Sequence, residues 1–211
     1  AERWLARSRA AGVEPDLVTY SALVDAAAKA GDAPAAERWL QRACGARLAP
    51  NVITLSSAIS AAAASGSLPA AERIFGRIRE AGITPDVVTF NALVDAAAKE
   101  RNMAAAHRWL RQACTARIAP NTMMYTSVAN AAAKAGDPMV AQRWLQRAAD
   151  ASLGPGPPLY NVLIDAYVRV GDLPGAEGCL ARMAAAALRP DAFSLGALAR
   201  GRARQAPPGP R

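Results

Sequence analysis

Apolar residues recur along this chain at helical spacing, in short blocks separated by glycine, proline and aspartate. In the first block they fall three or four positions apart, on one side of a helix running from about Val18 to Ala30: Tyr20, Val24 and Ala27. The next block, which ends near Ala46, repeats the stripe with Ala36, Leu40 and Ala43. Asp16 precedes the first block as a candidate N-cap, Gly31 separates the two blocks, and the second helix is expected to begin after Asp32. The pattern predicts a helical hairpin.

This hairpin recurs with a period of 35 residues, which is marked by six evenly spaced prolines: Pro15, Pro50, Pro85, Pro120, Pro155 and Pro190. The stretch GVEPDLVTYSALVDAAAK from Gly12 returns as GITPDVVTFNALVDAAAK from Gly82. A fixed period of roughly 20–50 residues is the signature of a solenoid, in which each repeat buries its apolar face against the next. The sequence therefore predicts stacked hairpins.

The period divides the chain into one truncated repeat, five full repeats and a partial one. Residues 1–16 match the second half of a repeat, and 192–200 begin another; the full repeats are 17–51, 52–86, 87–121, 122–156 and 157–191. The Pro-rich, basic end of the chain, residues 201–211, is predicted to be disordered. The chain begins inside a helical pattern without an initiator Met, so we expect a fragment whose targeting segment lies outside it.

Composition narrows the fold and the partners. Hydrophobic residues make up 52% of the chain but aromatics only 5%, so that much of the apolar content is alanine, which favours an all-α fold. The net charge of +8 favours an acidic partner, with nucleic acid first; an arginine-rich surface from a biased genome is the alternative. No apolar run is long enough for membrane insertion.

Catalytic and metal-binding chemistry has no support in the sequence. The single His107 has no nucleophile or acid at a motif spacing, and there is no phosphate-binding glycine loop, so we expect no enzyme activity, no cofactor and no metal site. Three cysteines without a CxxC pair argue against zinc and against a disulfide framework: Cys44, Cys114 and Cys179. We interpret all three as core residues of a protein in a reducing compartment.

The repeat resembles a known family. Its first helix reads VTYSALVDAAAKAGD in repeat one and VTFNALVDAAAKERN in repeat three, and the closing loops read VEPD, LAPN, ITPD, IAPN and LRPD. This 35-residue unit resembles the P-type pentatricopeptide repeat over residues 1–200. The resemblance implies an all-α, α-solenoid superhelix of helical-hairpin repeats, related to the tetratricopeptide repeat, whose first helices line a concave groove. It also implies single-stranded RNA as the partner, one nucleotide per repeat, in a chloroplast or mitochondrion.

The resemblance assigns roles to three repeat positions. The base-stacking set would be Val18, Ile53, Val88 and Met123, with Pro158 in repeat five. The base-reading pairs would be Ser21 with Asn51, Ser56 with Asp86, Asn91 with Asn121, Thr126 with Gly156, and Asn161 with Asp191. The phosphate-contacting set would be Lys29, Lys99, Lys134 and Arg169. Repeat four departs from the family, since Gly156 has no side chain.

The reading pairs make chemical sense. An ionised Asp only accepts hydrogen bonds, which suits the ring N–H of guanine and uracil, whereas Asn can donate to the bare ring nitrogen of adenine and cytosine. A short Ser or Thr leaves room for a purine, and a longer Asn favours a pyrimidine. With the RNA direction that the resemblance implies, N-terminal repeats toward the 5′ end, the pairs predict the order 5′-A-G-C-N-U-3′, where N is any base and uracil is tolerated at the third position.

Two functions follow from these observations. The first is sequence-selective binding of single-stranded RNA in organellar RNA processing, stability or translation. The alternative is a helical-repeat scaffold subunit that contacts other proteins in an organellar ribosome or another large complex. A scaffold would bury the groove against protein, whereas an RNA-binding protein would leave it open and basic.

Overall fold

The computed structural model describes residues 5, 7 and 10–205. Between Leu17 and Gln205 these form α-helices with no strand among the described residues: α1 (Leu17–Lys29), α2 (Ala33–Gly45), α3 (Val52–Ala64), α4 (Leu68–Glu80), α5 (Val87–Lys99), α6 (Met103–Thr115), α7 (Thr122–Lys134), α8 (Pro138–Asp150), α9 (Pro157–Arg169), α10 (Leu173–Ala185) and α11 (Ala192–Gln205). The first helices of the five full repeats begin at 17, 52, 87, 122 and 157, as the period predicts. No helix in the described part of the chain is long and apolar enough to span a membrane.

Side-chain caps determine where most helices start. Asp16 and Asp32 accept hydrogen bonds from backbone N–H groups three residues later, at 2.8 and 2.9 Å, so the predicted N-cap Asp16 is confirmed and Asp32 caps the second helix in the same way. Such a cap satisfies one of the helix's unpaired N–H groups and contributes about 1 kcal/mol. Proline lies in the first turn of α2, α4, α8 and α10, where its missing N–H costs nothing.

Left-handed residues end the helices. Gly31 follows α1 with φ of 70°, and glycine holds the same place after α3, α7 and α9. After α2, Arg47 adopts this conformation with φ of 57°, although a side chain is strained there. These tight ends keep each hairpin at 35 residues.

The described residues form two compact units. Unit one consists of the described residues up to Glu100 together with Arg108–Ala119, and unit two of Arg101–His107 with the described residues from Pro120 onward. In unit one, α1 packs on α2 and α3, and α3 packs on α4 and α5. In unit two, α7 packs on α8 and α9, and α9 packs on α10 and α11. Odd-numbered helices therefore lie side by side within each unit.

Alanines, larger aliphatic side chains and aromatic residues that recur at two repeat positions fill the core of the repeats. The predicted apolar stripes of repeat one are buried, and so are the recurring tryptophans Trp39, Trp109 and Trp144. Trp109 packs edge-on against Phe75, with ring centroids 4.9 Å apart, and its Nε1 donates to Glu72 at 3.2 Å. Small residues elsewhere in the stripes let neighbouring helices approach closely.

The predicted disorder from Gly201 is wrong for residues 201–205, which belong to α11. Gly201 is buried, with no room for a Cβ beside Leu173, and Gln205 Nε2 donates to the carbonyl of Gly171 at 2.7 Å. Arg202 pairs with Glu177 at 2.6 Å. These contacts with repeat five hold the helix, which the local composition does not reveal. Residues 206–211 lie outside the described residues.

The prediction for the cysteines is correct only for Cys179, which is buried; burial raises the pKa of its thiol. Cys44 and Cys114 are exposed. The inward position in their helices belongs to the preceding alanines, Ala43 and Ala113, and the next residue of a helix points about 100° away.

Candidate nucleic-acid interface

One face of every odd-numbered helix presents four side chains at i, i+3, i+7 and i+11, here called the groove face. Its members are Val18, Ser21, Asp25 and Lys29 on α1; Ile53, Ser56, Ser60 and Ala64 on α3; Val88, Asn91, Asp95 and Lys99 on α5; Met123, Thr126, Asn130 and Lys134 on α7; Pro158, Asn161, Asp165 and Arg169 on α9; and Phe193, Gly196, Arg200 and Arg204 on α11. Because odd-numbered helices pack on one another within each unit, these side chains form rows.

The first row is apolar and exposed to solvent. The exposed fractions of the predicted stacking residues Val18, Ile53, Val88 and Met123 are 73, 70, 48 and 64%. Phe193 occupies the same position on α11 and is 53% exposed; the sequence analysis missed it because it ended the full repeats at residue 191. A single exposed apolar residue needs no explanation, but recurrence at one repeat position indicates a surface that contacts a ligand.

The reading pair Ser21 and Asn51 is joined through Thr54. Ser21 Oγ lies 2.6 Å from Thr54 Oγ1, which in turn donates to Asn51 Oδ1 at 2.9 Å. Asn51 is also the N-cap of α3, because its Oδ1 accepts from the Thr54 N–H at 2.9 Å. With Oδ1 directed to the helix, the amide nitrogen of Asn51 is the atom that can donate to a ligand.

Ser56 and Asp86 repeat this arrangement and are in direct contact. Ser56 Oγ donates to Asp86 Oδ1 at 3.3 Å and lies 2.9 Å from Thr89 Oγ1. The same Oδ1 accepts from the N–H and the hydroxyl of Thr89, at 2.8 and 2.7 Å, and so caps α5. Capping uses one carboxylate oxygen and leaves Oδ2 as the acceptor for a ligand. The buried bridging threonines Thr54 and Thr89 belong to the V-x-T motif, but sequence analysis gave them no role.

A recess of about 450 Å³ opens on this pair in unit one. Two stacking residues, Ile53 and Val88, line it together with Ser56 and Asp86. Its volume lies within the range of about 300–1,000 Å³ typical of small-ligand clefts. An apolar surface beside a hydrogen-bonding pair is the arrangement that holds a flat heterocycle by stacking and reads its edge.

Unit two has a matching recess of about 340 Å³, lined by Pro158, Phe193 and Asn161 among others. Asn161 Nδ2 donates to Asp191 Oδ2 at 2.8 Å, so the fifth predicted pair is also in direct contact. Two hydrogen bonds hold the pKa of Asp191 below its usual value. The larger effect comes from the N–H of Ser194 and the smaller from the side-chain amide of Asn161. Asn161 Oδ1 is buried and has no hydrogen-bond partner among the described residues.

The other two pairs are not joined by a hydrogen bond between described residues. Thr126 Oγ1 donates to the carbonyl of Thr122 at 2.8 Å, within its own helix, and Gly156 caps α9 without a side chain. Asn91 lies in unit one, where its Oδ1 is buried without a partner. Asn121 lies in unit two, where its Oδ1 accepts from the Met124 N–H at 3.0 Å.

Three of the four predicted phosphate ligands form ion pairs with the groove-face acid one turn earlier. The distances are 2.7 Å for Lys29 with Asp25, 2.9 Å for Lys99 with Asp95, and 2.6 Å for Arg169 with Asp165. Lys99 Nζ also donates to the carbonyl of Ala63 at 2.7 Å. Lys134 differs, because its helix carries Asn130 at the acid's position. The sequence shows the four-residue spacing, but its significance for charge was missed.

The described residues contain no cluster of three or more histidine, cysteine or acidic side chains that could hold a metal ion. The groups that the groove faces present are exposed apolar side chains, hydrogen-bonding pairs and cations.

Two family models match this chain. The model of the pentatricopeptide repeat domain matches residues 5–62 and 48–100, and the PPR repeat model matches residues 88–115 and 159–186. No curated protein sequence matches the chain.

Solved structures show the same fold. The pentatricopeptide repeat protein PPR10 in complex with an 18-nucleotide psaJ RNA element matches with a TM-score of 0.78 and 25% identity, over 90% of this chain and 28% of that one. PPR10 from maize matches with a TM-score of 0.77 and 27% identity, over 96% of this chain and 29% of that one. The PPR domain of Arabidopsis thaliana protein-only RNase P 1, in complex with tRNA, matches with a TM-score of 0.70 and 16% identity, over 85% of this chain and 95% of that one.

The chain thus spans less than a third of the PPR10 chains that it matches. The likeness confirms the predicted fold class, an all-α solenoid of helical-hairpin repeats.

Proposed function

We propose that this chain, which belongs to the pentatricopeptide repeat family, binds single-stranded RNA and selects bases, one nucleotide per repeat. The similar protein PPR10 has been solved with RNA, which supports RNA as the ligand class. The resemblance extends the proposal to RNA processing, stability or translation in a chloroplast or mitochondrion. Locating the tagged full-length protein in cells tests that extension.

The capping geometry of the last residue in a repeat is the observation that carries the proposal. Asp86 and Asn51 both direct Oδ1 to a helix N-terminus, so the second atom is an acceptor in Asp86 and a donor in Asn51. The fold therefore turns an Asp-to-Asn difference into an acceptor-to-donor difference on the groove face. This difference is what distinguishes guanine or uracil from adenine or cytosine.

The neighbouring side chain sets the size of the base. Ser56 is short and engaged with Asp86 and Thr89, which leaves the recess beside Ile53 open for a purine. Asn161 fills more of its own recess and favours a pyrimidine. With the direction of RNA implied by the family, the five repeats would select 5′-A-G-C-N-U-3′.

An Asp86→Asn variant tests the proposal. Asn still caps α5, so the fold should persist, while the groove-face atom changes from acceptor to donor. We expect the base preferred at the second position to move from guanine toward adenine, with the other positions unchanged. Binding selection from a randomised single-stranded RNA pool measures all positions at once.

Asp32→Asn is the matched control. Asp32 caps α2 by the same bond but lies outside the groove faces, so its substitution should leave base selection unaltered. Retained guanine preference in Asp86→Asn, or a change at every position, would contradict one-base reading. Binding of no RNA at all would favour the scaffold alternative.

A further inference from the structure

The groove faces differ in charge at their third and fourth positions. On α1, α5 and α9 the third residue is Asp, and it pairs with the cation at the fourth position at 2.6–2.9 Å. The hydrogen bond that Lys29 donates to Asp25 raises the pKa of Lys29, as expected for a cation held by an acid. Each of these faces therefore carries both members of an ion pair and no net charge at these two positions.

On α7 and α11 the acid is missing. Asn130 precedes Lys134 on α7, and on α11 the acid's position is taken by Arg200, with Arg204 at the fourth position. Lys134, Arg200 and Arg204 have no ion pair with an acid among the described residues. Arg202, on another side of α11, is by contrast paired with Glu177 at 2.6 Å.

The side chain of Arg200 lies along the groove face. Its Nη1 is 3.5 Å from the point where a Cβ on Gly196 would lie, so glycine leaves the space that the guanidinium occupies. Phe193, the exposed residue of the stacking row, is on the same face of α11. The guanidinium therefore lies beside Gly196, on the groove face of α11.

Counting the groove faces and the caps of the odd helices, these surface residues carry a net negative charge in unit one and a net positive charge in unit two. Unit one has the cations Lys29 and Lys99 against the acids Asp16, Asp25, Asp86 and Asp95. Unit two has Lys134, Arg169, Arg200 and Arg204 against Asp165 and Asp191. A phosphate that approaches a paired lysine must compete with its aspartate, whereas one that approaches an unpaired cation only replaces water and counterions.

We infer that Lys134, Arg200 and Arg204 of unit two hold the phosphates of the bound strand and supply most of the salt dependence of binding. This inference rests on the proposed function, since RNA supplies the phosphates. The paired cations of unit one mainly neutralise their own acids. Arg200 extends the phosphate-binding set to a helix beyond the five full repeats.

Salt titrations of RNA binding by three variants test this inference. The probe is a fluorescently labelled single-stranded RNA with the sequence AGCAU between short flanks, and anisotropy gives Kd across a range of salt concentrations. Replacing Lys134, Arg200 and Arg204 with Gln together should make the log–log salt slope shallower by about 2, at roughly 0.7 per phosphate. Placing lysine at position 200 of the triple variant should make the slope steeper again by about 0.7, because the effect depends on the positive charge.

Two controls separate this result from a general charge effect. A variant in which both ion pairs of unit one are neutral (Asp25→Asn, Lys29→Gln, Asp95→Asn and Lys99→Gln) should make the slope shallower by less than about 0.7, because each lysine there is opposed by its own aspartate. Arg202→Gln removes one positive charge outside the groove face and should keep the wild-type slope. Circular dichroism of each variant verifies that its helix content is unchanged.

An unchanged slope in the triple variant would overturn the inference and leave RNA binding standing. A loss as large in the unit-one variant would also overturn it. If the wild-type chain binds no single-stranded RNA, the proposed function fails, and the inference fails with it.

Discussion

At the scale of single residues, the last side chain of a repeat has two structural tasks. It caps the next odd-numbered helix, and in the proposed function its remaining polar atom contacts a base. Thr54 and Thr89 connect it to the reading residue of the neighbouring helix, so a substitution at either threonine would disturb both tasks. Gly156 is the exception, because it has no side chain for either task.

Gly156→Asp should therefore give repeat four a base preference. Gly156 has φ of −82° and ψ of 174°, which any residue adopts before proline, and a Cβ there would meet only Pro158 Cδ at 3.6 Å. The new carboxylate would cap α9, which adds a few tenths of a kcal/mol, and would present an acceptor. With the short Thr126, we expect the fourth position to change from indifferent to guanine-selective in the same binding selection. No gain in selectivity would contradict the role given to the cap.

Asp191→Asn should reveal a pH-dependent part of the stability. The pKa of Asp191 is lowered by the Ser194 N–H first and by Asn161 second, so its ionised form is the better bonded one. Its stabilising effect is present above the unfolded pKa, near 3.8, and is lost as the pH falls through the folded pKa. The difference in the free energy of unfolding between wild type and Asp191→Asn should shrink from pH 6 toward about pH 3.

Chemical denaturation at each pH measures this difference. Asn161→Ser is the control, because it leaves the larger contribution from Ser194 in place and should keep most of the pH dependence. A difference that stays constant across the range would exclude a linked protonation of Asp191.

At the scale of helices, α11 shows how packing overrides composition. Its sequence contains two glycines and three arginines between Gly196 and Arg204, yet the chain remains helical to Gln205. Gly201 is the reason for its close docking, since a Cβ there would lie 2.6 Å from Leu173 Cδ2 and 3.0 Å from Val168 Cγ1. The helix brings Phe193 and Arg200 to the groove face of unit two.

Gly201→Val should consequently weaken the docking of α11. The added methyl groups cannot fit without moving Leu173 or Val168, and overpacking of this kind costs about 1–3 kcal/mol. We expect faster amide hydrogen exchange in residues 192–205 and weaker RNA binding. Gly196→Ala on the same helix is the control: its Cβ would meet only the flexible end of Arg200, and alanine should stabilise the helix by up to about 1 kcal/mol. Equal exchange in both variants would contradict the packing role of Gly201.

At the scale of the whole molecule, the net charge is +8, and the groove faces carry unequal shares of positive charge. On these faces, acids and cations form ion pairs on three of the odd helices, and the cations without an ion pair lie on α7 and α11. The positive charge that favours nucleic acid as a partner thus concentrates, as far as the groove faces are concerned, in unit two.

One-base reading by successive repeats predicts that the order of bases matters and not only their identity. RNA with the core 5′-AGCAU-3′ should bind more tightly than RNA with the reversed core 5′-UACGA-3′ in the same flanks. The reversal keeps the composition and mismatches three positions, so at about 1 kcal/mol each we expect a difference on the order of 100-fold in Kd. Anisotropy titrations measure it. Equal affinities would show that binding depends on composition or charge alone.

Much of the fold could be predicted from the sequence because its determinants are local. The caps Asp16 and Asp32, the proline in the first helical turn and the left-handed glycines act within a few residues of each helix end. Repetition at 35 residues then placed every odd-numbered helix of the full repeats at its observed start. The resemblance also placed the stacking positions where the structure has exposed apolar side chains, although their role stays a prediction.

By itself, then, the sequence determined the hairpin, its period and the identity of the residues on each groove face, because short-range helix rules and an unbroken register suffice for these. Only the tertiary structure decided what those residues bond to. The bridge from Ser21 to Thr54 and the contact of Asn161 with Asp191 join residues about thirty positions apart, and they exist because odd-numbered helices pack side by side. The same packing keeps α11 helical through Gly201, since contacts with repeat five outweigh a local composition that favours disorder.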